Sequence, residues 1–255
     1  MKNIFAFATV SALFTAALVG LAVASGDQKH PRHMEWAFDG VLGHVDKQAA
    51  QRGFQVYKEV CSACHSLDRV AFRSLSEIGF TEAEIKSLAA SYEVTDGPND
   101  DGEMSKRPGK PSDHFVAPFA NEKAAAAANS GAAPPDLSLI IKARPDGANY
   151  VYSLLTGYTQ APADMQVGEG LHYNPYFPGE QIRMAPPIAD DQIAYADGTK
   201  ASVDQMSHDV VTFLQWAAEP EMGARKSMGL KVLAYLLAFT IVAYLAMKRV
   251  WKNVH

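Results

Sequence analysis

Cysteine is nearly absent from this chain of 255 residues, which contains only Cys61 and Cys64. A zinc site would need further cysteine or histidine ligands, and no second closely spaced pair supplies them. A redox dithiol of the C-x-x-C type is expected to follow a strand, whereas the residues before Cys61 are spaced as in a helix. A helix before Cys61 argues against a redox dithiol, which remains one alternative to test.

Acidic residues are absent from both ends of the chain. All 28 Asp and Glu residues lie between Asp27 and Glu221. Of the 23 Lys and Arg residues, Lys2 and six after Glu221 lie outside this range, which leaves 16 inside it. This middle section therefore has a net charge of −12. An acidic body argues against nucleic acid as a partner and favours electrostatic steering of a basic partner. The alternative is that the acidity only aids solubility.

The N-terminus resembles a targeting segment. After Lys2 the chain carries no charge until Asp27, and the sequence Ala22-Val23-Ala24 supplies an A-x-A cleavage site. Residues 1–24 are therefore predicted to be a secretory signal peptide. The run is also long enough to span a bilayer, so an uncleaved anchor is the alternative. Both interpretations place the body outside the cytoplasm.

A second uncharged run extends from Val232 to Met247 near the C-terminus, and Lys248, Arg249 and Lys252 follow it. With its flanking residues the run reaches one bilayer thickness. The positive-inside rule then places the basic end in the cytoplasm. A buried core helix is the alternative, which the polar stretch 219–226 disfavours by separating the run from the body.

These features predict a single-pass protein of the cell inner membrane with its main domain on the periplasmic side. The predicted segments are a signal peptide at 1–24, a periplasmic domain at 25–224, a transmembrane anchor at 225–248 and a cytoplasmic tail at 249–255.

Helical spacing dominates the body. Ala50, Phe54 and Tyr57 predict a helix over Asp46–Val60. The pairs Thr81/Glu84 and Ser202/Gln205 predict the N-termini of two more helices, and short helices are predicted at 121–129 and 149–155. No strong alternating pattern is present, and irregular structure is predicted at 26–42, 95–119 and 158–183. The predicted fold is mostly α with long irregular loops, at most a small hairpin, and one C-terminal transmembrane helix.

Cys61-Ser62-Ala63-Cys64-His65 is the attachment pattern of a c-type haem. Two thioether bonds need two thiols about one helical turn apart, so that both reach the vinyl groups on one edge of the porphyrin. The next residue then lies under the ring, where the His65 imidazole can take one axial position on the iron. The sequence therefore predicts one covalent haem c.

The second axial position has several candidate ligands, namely Met104, Met165, Met184, Met206 and the remaining histidines. Met184 is favoured because it lies on a loop far from Cys61, and Pro186-Pro187 stiffens that loop. Met206 belongs to an apolar helical stripe and is interpreted as core. An open iron that binds a gas is the alternative to any sixth ligand.

Longer motifs resemble the cytochrome c1 family over nearly all of the chain from Arg52 to Arg249. The matching stretches are Arg52-Gly53-Phe54-Gln55-Val56-Tyr57, Asp96-Gly97-Pro98-Asn99, Asp101-Gly102-Glu103-Met104, Arg107-Pro108-Gly109-Lys110, Asp113, Pro134-Pro135-Asp136-Leu137-Ser138, Ser153-Leu154-Leu155-Thr156-Gly157-Tyr158, Asn174-Pro175-Tyr176-Phe177-Pro178-Gly179, Met184-Ala185-Pro186-Pro187 and Trp216-Ala217-Ala218-Glu219-Pro220-Glu221.

The resemblance implies a class I-like cytochrome c haem domain and a set of site residues. Cys61 and Cys64 would be the attachment sites, and His65 and Met184 the axial ligands. Arg144 would pair with a haem propionate, since a guanidinium binds a carboxylate through two bonds; a surface salt bridge is the alternative. Tyr150 and Pro135 would line the pocket. The chain lacks the extra cysteine pair and the long acidic N-terminal extension of some relatives.

The resemblance also implies an electron-transfer subunit of the quinol–cytochrome c oxidoreductase, the bc1 complex, with no catalytic acid, base or nucleophile of its own. The implied partners are cytochrome b, the Rieske iron–sulfur protein as donor, a soluble or tethered c-type cytochrome as acceptor, and membrane lipid, in a dimeric complex. Nucleic acid is not an implied partner. The alternative is a membrane-anchored monohaem cytochrome that shuttles electrons outside any bc1 complex.

Overall fold

The computed structural model describes residues 28–252, so the predicted signal peptide at 1–24 lies outside the described residues. The helices are α1 (Lys47–Glu59), α2 (Glu82–Ala90), α3 (Glu122–Ala128), α4 (Ile140–Ala143), α5 (Gly147–Leu155), α6 (Val203–Ala218) and α7 (Met222–Trp251), with 3-10 turns at Cys61–Ala63 and Phe72–Ile78. The strands are β1 (Glu93–Pro98), β2 (Met104–Pro108), β3 (His172–Tyr173) and β4 (Gln181–Ile182). The prediction of a mostly helical protein is confirmed.

Side-chain caps begin the predicted helices. Asp46 accepts hydrogen bonds from the backbone N–H groups of Gln48 and Ala49, so α1 begins one residue after it. Thr81 and Glu84 form a reciprocal capping box at the start of α2. Ser202 accepts from the N–H of Gln205 at the start of α6. Each cap satisfies a backbone donor that the helix itself leaves free.

Two antiparallel hairpins lie largely within the stretches 95–119 and 158–183, where the sequence predicts irregular structure and at most one small hairpin. Strands β1 and β2 pair with Val94 opposite Arg107, and the register shifts between Thr95 and Pro98. Strands β3 and β4 pair over two residues each. The first hairpin is mostly exposed and contains Gly, Pro and Asp, which hides the alternating apolar pattern that normally indicates a strand.

The core forms where α1 packs against α6. At Gly53 an added Cβ would lie 2.0 Å from the carbonyl oxygen of Asp209, so only glycine allows this approach of the two helices. Aromatic side chains fill the rest of the contact, and Phe54 and Tyr57 lie 5.6 Å and 5.7 Å from Phe213 between ring centroids. The contact fixes α1, which leads directly into Cys61.

A buried ion pair crosses the same contact. The Arg52 guanidinium donates from Nε to Asp209 Oδ2 at 2.9 Å and from Nη2 to Asp209 Oδ1 at 3.0 Å. The Asp209 side chain is fully buried. Burial alone would raise the pKa of Asp209, but hydrogen bonds from His208, Arg52 and Gln205 bring it below its ordinary value. The carboxylate is therefore held in its charged form.

The N-terminal arm is irregular, as predicted, but its aromatic residues are part of the core. Trp36 and Phe38 are buried and stack on each other with ring centroids 5.2 Å apart. The side-chain Oδ1 of Asn149 accepts from Trp36 Nε1 at 2.9 Å and from the Met34 N–H at 3.0 Å. His208 stacks on Trp36 at 5.0 Å, which makes it a packing histidine. The arm is thus fastened across α5 and α6.

Helix α7 is long and apolar enough to cross a membrane, and its apolar window is fully exposed in the isolated chain. It contains the predicted anchor 225–248 and extends beyond it at both ends. The apolar run 232–247 is separate from the core, as the polar stretch 219–226 predicts, while Met222 within that stretch is buried in the main core. Glu219 also forms ion pairs with Lys142 and Arg225 across this junction.

Candidate haem-attachment site

The two cysteines and His65 lie on a single tight turn that continues from α1. The N–H groups of Cys64 and His65 both donate to the carbonyl oxygen of Cys61, at 3.1 Å and 2.9 Å. Neither cysteine forms a disulfide, and Cys64 is exposed. The turn holds two free thiols and an imidazole beside one another, as covalent attachment of a porphyrin requires.

His65 is oriented by a backbone carbonyl. Its Nδ1 lies 2.8 Å from the Pro135 oxygen. A carbonyl oxygen can only accept, so we assign the ring proton to Nδ1, which leaves the lone pair of Nε2 free for a metal. Burial lowers the pKa of His65, and the bond to Pro135 opposes that shift. The imidazole is thus held neutral, the form that ligates iron.

Asp136 joins the segment after Pro135 to the residues that follow His65. Its Oδ2 accepts from Ser66 Oγ at 2.7 Å and from the Asp68 N–H at 2.9 Å, while its Oδ1 accepts from the Ser138 N–H at 2.9 Å. The burial of Asp136 opposes its ionisation, but these hydrogen bonds hold its pKa below the ordinary value. Sequence reasoning missed this role, although Asp-x-Ser after Pro-Pro is the pattern of an Asx turn.

Met184 is half-buried on the loop after β4. Its carbonyl oxygen accepts a hydrogen bond from the Tyr158 hydroxyl at 2.9 Å. Burial raises the pKa of Tyr158, and the neighbouring Tyr150 adds to that shift. Tyr158 therefore remains a neutral donor at physiological pH and fixes the backbone of Met184. No local pattern around Tyr158 indicates this contact, which spans 26 residues.

Arg144 and Tyr150 lie next to each other. Burial raises the pKa of the Tyr150 hydroxyl, and the charge of Arg144 and a hydrogen bond from it partly oppose that rise. Arg144 is itself exposed, and its Nη1 donates to the Ala143 carbonyl oxygen at 3.1 Å. The structure thus brings the predicted site residues into two groups. One consists of His65 and Pro135. The other consists of Arg144 and Tyr150, and Tyr158 connects this pair to Met184.

A cavity of about 470 Å³ opens beside the exposed Cys64. Its lining is rich in alanine and proline and includes Phe119, Pro134, Pro135 and Asp136. Among residues 28–252, no cluster of three or more His, Cys, Asp or Glu side chains is arranged to hold a metal ion. The two thiols and the imidazole around Cys61 are the groups that covalent attachment of a haem uses.

The protonation of Cys61 argues against a redox dithiol. Burial raises the pKa of its thiol to about 12, and the neighbouring Cys64 adds to the shift. A reactive dithiol needs the opposite, a thiolate stabilised at neutral pH. The residues before Cys61 are also helical, as the sequence indicated, and no strand leads into the motif.

Comparison with known proteins shows a relationship over almost the full length of the chain. The model of the Cytochrome C1 family matches residues 36–254. "Cytochrome c1" of Rhodospirillum rubrum is 48% identical over 270 residues, covering 100% of this chain and 99% of the relative. "Cytochrome c1 1, heme protein, mitochondrial" of Arabidopsis thaliana is 50% identical over 95% of this chain and 81% of its own length. "Cytochrome b/c1" of Bradyrhizobium diazoefficiens is 43% identical over 98% of this chain, which covers 39% of that longer protein.

Proposed function

The chain belongs to the cytochrome c1 family, and on that premise we propose that it is the electron-transfer subunit of a quinol–cytochrome c oxidoreductase. Haem c would be held by thioether bonds to Cys61 and Cys64, with His65 and Met184 as axial ligands. The relatives named heme proteins support this cofactor, and the names "Cytochrome b/c1" and "Cytochrome b-c1 complex catalytic subunit" support the complex. The observation that carries the proposal is the single turn that presents two free thiols and an oriented imidazole.

The residues of this chain have positioning roles rather than catalytic ones. Pro135 fixes the His65 tautomer through its carbonyl, and Asp136 holds the Pro135 segment against the residues after the motif. Tyr158 fixes the backbone of Met184. When bound, haem c supplies one-electron redox chemistry, and a His/Met ligand pair gives it a raised potential.

Arg144 and Tyr150 are proposed to bind a haem propionate together. The Arg144 guanidinium is exposed, and beyond its contacts with the Ala143 carbonyl oxygen and with Tyr150 it has further N–H donors for a carboxylate. Beside it, the buried Tyr150 hydroxyl is kept neutral. A cation and a hydroxyl donor side by side suit a carboxylate.

We also propose a class I-like arrangement of the haem domain, which the packing of α1 against α6 supports. Helix α1 leads into the attachment motif, and α6 packs against it at Gly53. We propose that the porphyrin completes the core between this helix pair and the Met184 loop.

The anchor, the donor and the acceptor complete the proposal. Helix α7 would hold the chain in the cell inner membrane beside cytochrome b, with the domain on the periplasmic side. The Rieske iron–sulfur protein would be the electron donor. The acidic body, with its net charge of −12 between Asp27 and Glu221, suits a basic c-type cytochrome as acceptor. The rate of electron transfer to it should then fall as salt screens the encounter.

Purification through a tag on this chain in mild detergent tests the proposal. The reduced-minus-oxidised spectrum should contain c-type and b-type haem bands together, with inhibitor-sensitive quinol oxidation. A c-type band alone, without quinol oxidation, would instead identify an anchored shuttle that works outside the complex. A chain of mature mass without covalent haem on a denaturing gel would contradict the haem assignment itself.

A further inference from the structure

We propose that the turn Phe38–Gly43 is a second membrane contact, which places Val41 and Leu42 in the headgroup region of a phospholipid bilayer beside α7. The inference rests on the proposed membrane anchor and adds a second point at which the domain meets the lipid. Two contacts would fix the tilt and rotation of the domain above the membrane, which one helix alone does not.

Outside α7, Val41 and Leu42 are the most exposed large apolar residues among residues 28–252. Their exposed fractions are 66% and 79%, and outside α7 they are the only adjacent pair among the exposed large apolar side chains of residues 28–252. Trp36 and Phe38, just before them, are buried. The chain is therefore packed into the core just before the turn, while the two apolar side chains of the turn are exposed to solvent.

Lys226 ties this turn to the first part of α7. Its ammonium donates to the carbonyl oxygens of Phe38 at 2.7 Å, Gly40 at 2.7 Å and Gly43 at 3.1 Å. These three bonds use all three donors of the ammonium group. Because the carbonyls of Gly40 and Gly43 both face Lys226, Val41 and Leu42 are the short loop between two fixed points.

The backbone of the turn is tightly constrained. Gly40 has a φ of +68°, a region that favours glycine, and an added Cβ at Gly43 would lie 2.0 Å from the Asp39 carbonyl oxygen. The turn thus requires glycine on each side of Val41 and Leu42. A rigid backbone presents its apolar pair in one direction with little cost in conformational entropy.

The position of Lys226 along α7 sets the height of the turn. A helix rises about 1.5 Å per residue, and the hydrocarbon core of a bilayer takes about 20 residues. Counting back from Met247, the last residue before Lys248, places the outer edge of the core near Met228. Lys226 is two positions above this edge, so the turn that it binds lies at the level of the headgroups.

The experiment places a nitroxide label on Leu42→Cys in the intact haem-loaded complex, reconstituted in vesicles of phosphatidylcholine and phosphatidylglycerol. With Cys61 and Cys64 engaged in thioethers, the new thiol is the one that reacts on this chain. Collision of the label with oxygen, which concentrates in lipid, is compared with collision with a water-soluble nickel chelate. Met104→Cys and Leu237→Cys are matched references, each 65% exposed, on the β1–β2 hairpin and on α7.

The oxygen-to-nickel ratio at residue 42 should approach that at residue 237 and exceed that at residue 104 several-fold. A ratio equal to that at residue 104, with residue 237 in lipid, would overturn the inference and leave the anchor intact. Shielding of residue 42 from both reagents would also overturn it, because a protein partner would then cover the turn. A water-like ratio at residue 237 would instead contradict the anchor of the proposed function.

A second variant tests the role of Lys226. In the Leu42→Cys background, Lys226→Gln should speed the motion of the label and lower its oxygen-to-nickel ratio, because the three carbonyls lose their cation. Lys231→Gln, on the same helix, should leave both readings unchanged. Unchanged motion and ratio in Lys226→Gln would show that this lysine does not hold the turn at the membrane.

Discussion

The two sides of the proposed haem site are held in different ways. On the proximal side, the segment 65–69 is fastened to the segment 135–138 by bonds that include His65 Nδ1 to the Pro135 oxygen, the Leu137 N–H to the Ser66 oxygen and the contacts of Asp136. On the distal side, the main polar contact to the Met184 backbone is one Tyr158 hydroxyl. The difference indicates that the fold fixes His65, the proposed proximal ligand, more firmly than Met184, the proposed distal ligand.

Met184→Leu is the change expected to have the largest effect. Leucine fills a similar volume but offers no thioether, so haem should stay attached while the midpoint potential falls by a sizeable part of the about 0.8 V that axial ligands cover. Redox titration of the c-type band measures it. Met165→Leu, the same exchange at another half-buried loop methionine, should leave the potential unchanged. An unchanged potential in Met184→Leu would exclude Met184 as a ligand.

Arg52→Ala should weaken the contact between α1 and α6, which supports the proximal side of the proposed haem site. It leaves the fully buried Asp209 carboxylate without its guanidinium partner, which should lower the free energy of unfolding by about 3–5 kcal/mol. Arg52→Lys should restore part of this loss, because it keeps the charge but not the paired geometry. Denaturant unfolding followed by circular dichroism measures the difference.

The Arg52–Asp209 pair also predicts how the free energy of unfolding depends on pH. The pKa of Asp209 is lower in the folded protein than its ordinary value, so its contribution to stability is present above an ordinary pKa of about 3.9 and is lost as the pH falls through the folded-state value. The gap in unfolding free energy between wild type and Arg52→Ala should therefore narrow below about pH 4. An equally wide gap in acid would mean that the charge of Asp209 is not what Arg52 stabilises.

Asp136→Ala should loosen the proximal side directly. It removes an acceptor of three hydrogen bonds, with an expected cost of about 3 kcal/mol in unfolding free energy. Ser66→Ala removes one of the three and should cost about 1 kcal/mol. Faster exchange of the His65 ring proton in Asp136→Ala would show that the loss reaches the ligand. Equal effects of the two variants would contradict the role of Asp136 as a shared acceptor.

Tyr158→Phe should have the smallest effect on stability and act only on the distal side. Losing one hydrogen bond of about 1 kcal/mol should raise the population with Met184 detached about fivefold. Carbon monoxide binding to the reduced protein reports this population. Tyr173→Phe is the control, because its hydroxyl contacts Glu180 at 3.4 Å and not Met184. If both variants bound carbon monoxide to the same extent, Tyr158 would not position the ligand.

The sequence predicted the capped helices well because their signals are local, and the attachment motif is a local signal of the same kind. The caps at Asp46, Thr81 and Ser202 act within three residues, and the motif spans five. The two hairpins were not located, since β1 and β2 lie on the surface and carry Gly, Pro and Asp. The stretch between β2 and the helix α3 was correctly predicted to be irregular.

Local sequence patterns did not predict the contacts between distant parts of the chain. The Arg52–Asp209 pair spans 157 positions, and the Lys226 contact with Phe38 spans 188. Among the predicted site residues, the structure explains Pro135 by the backbone carbonyl that it offers to His65, a role that no side-chain pattern encodes. The packing of Met222 into the core, which joins the start of α7 to the body, is another such contact.

The most direct test of this account is near-infrared magnetic circular dichroism of the oxidised c-type haem in the purified complex, recorded as the pH is raised. We expect a His/Met signature at neutral pH, followed by loss of the methionine while His65 and the thioether bonds remain. A bis-histidine or open-iron signature at neutral pH would contradict the assignment of Met184. Loss of the histidine before the methionine would contradict the difference between the two sides.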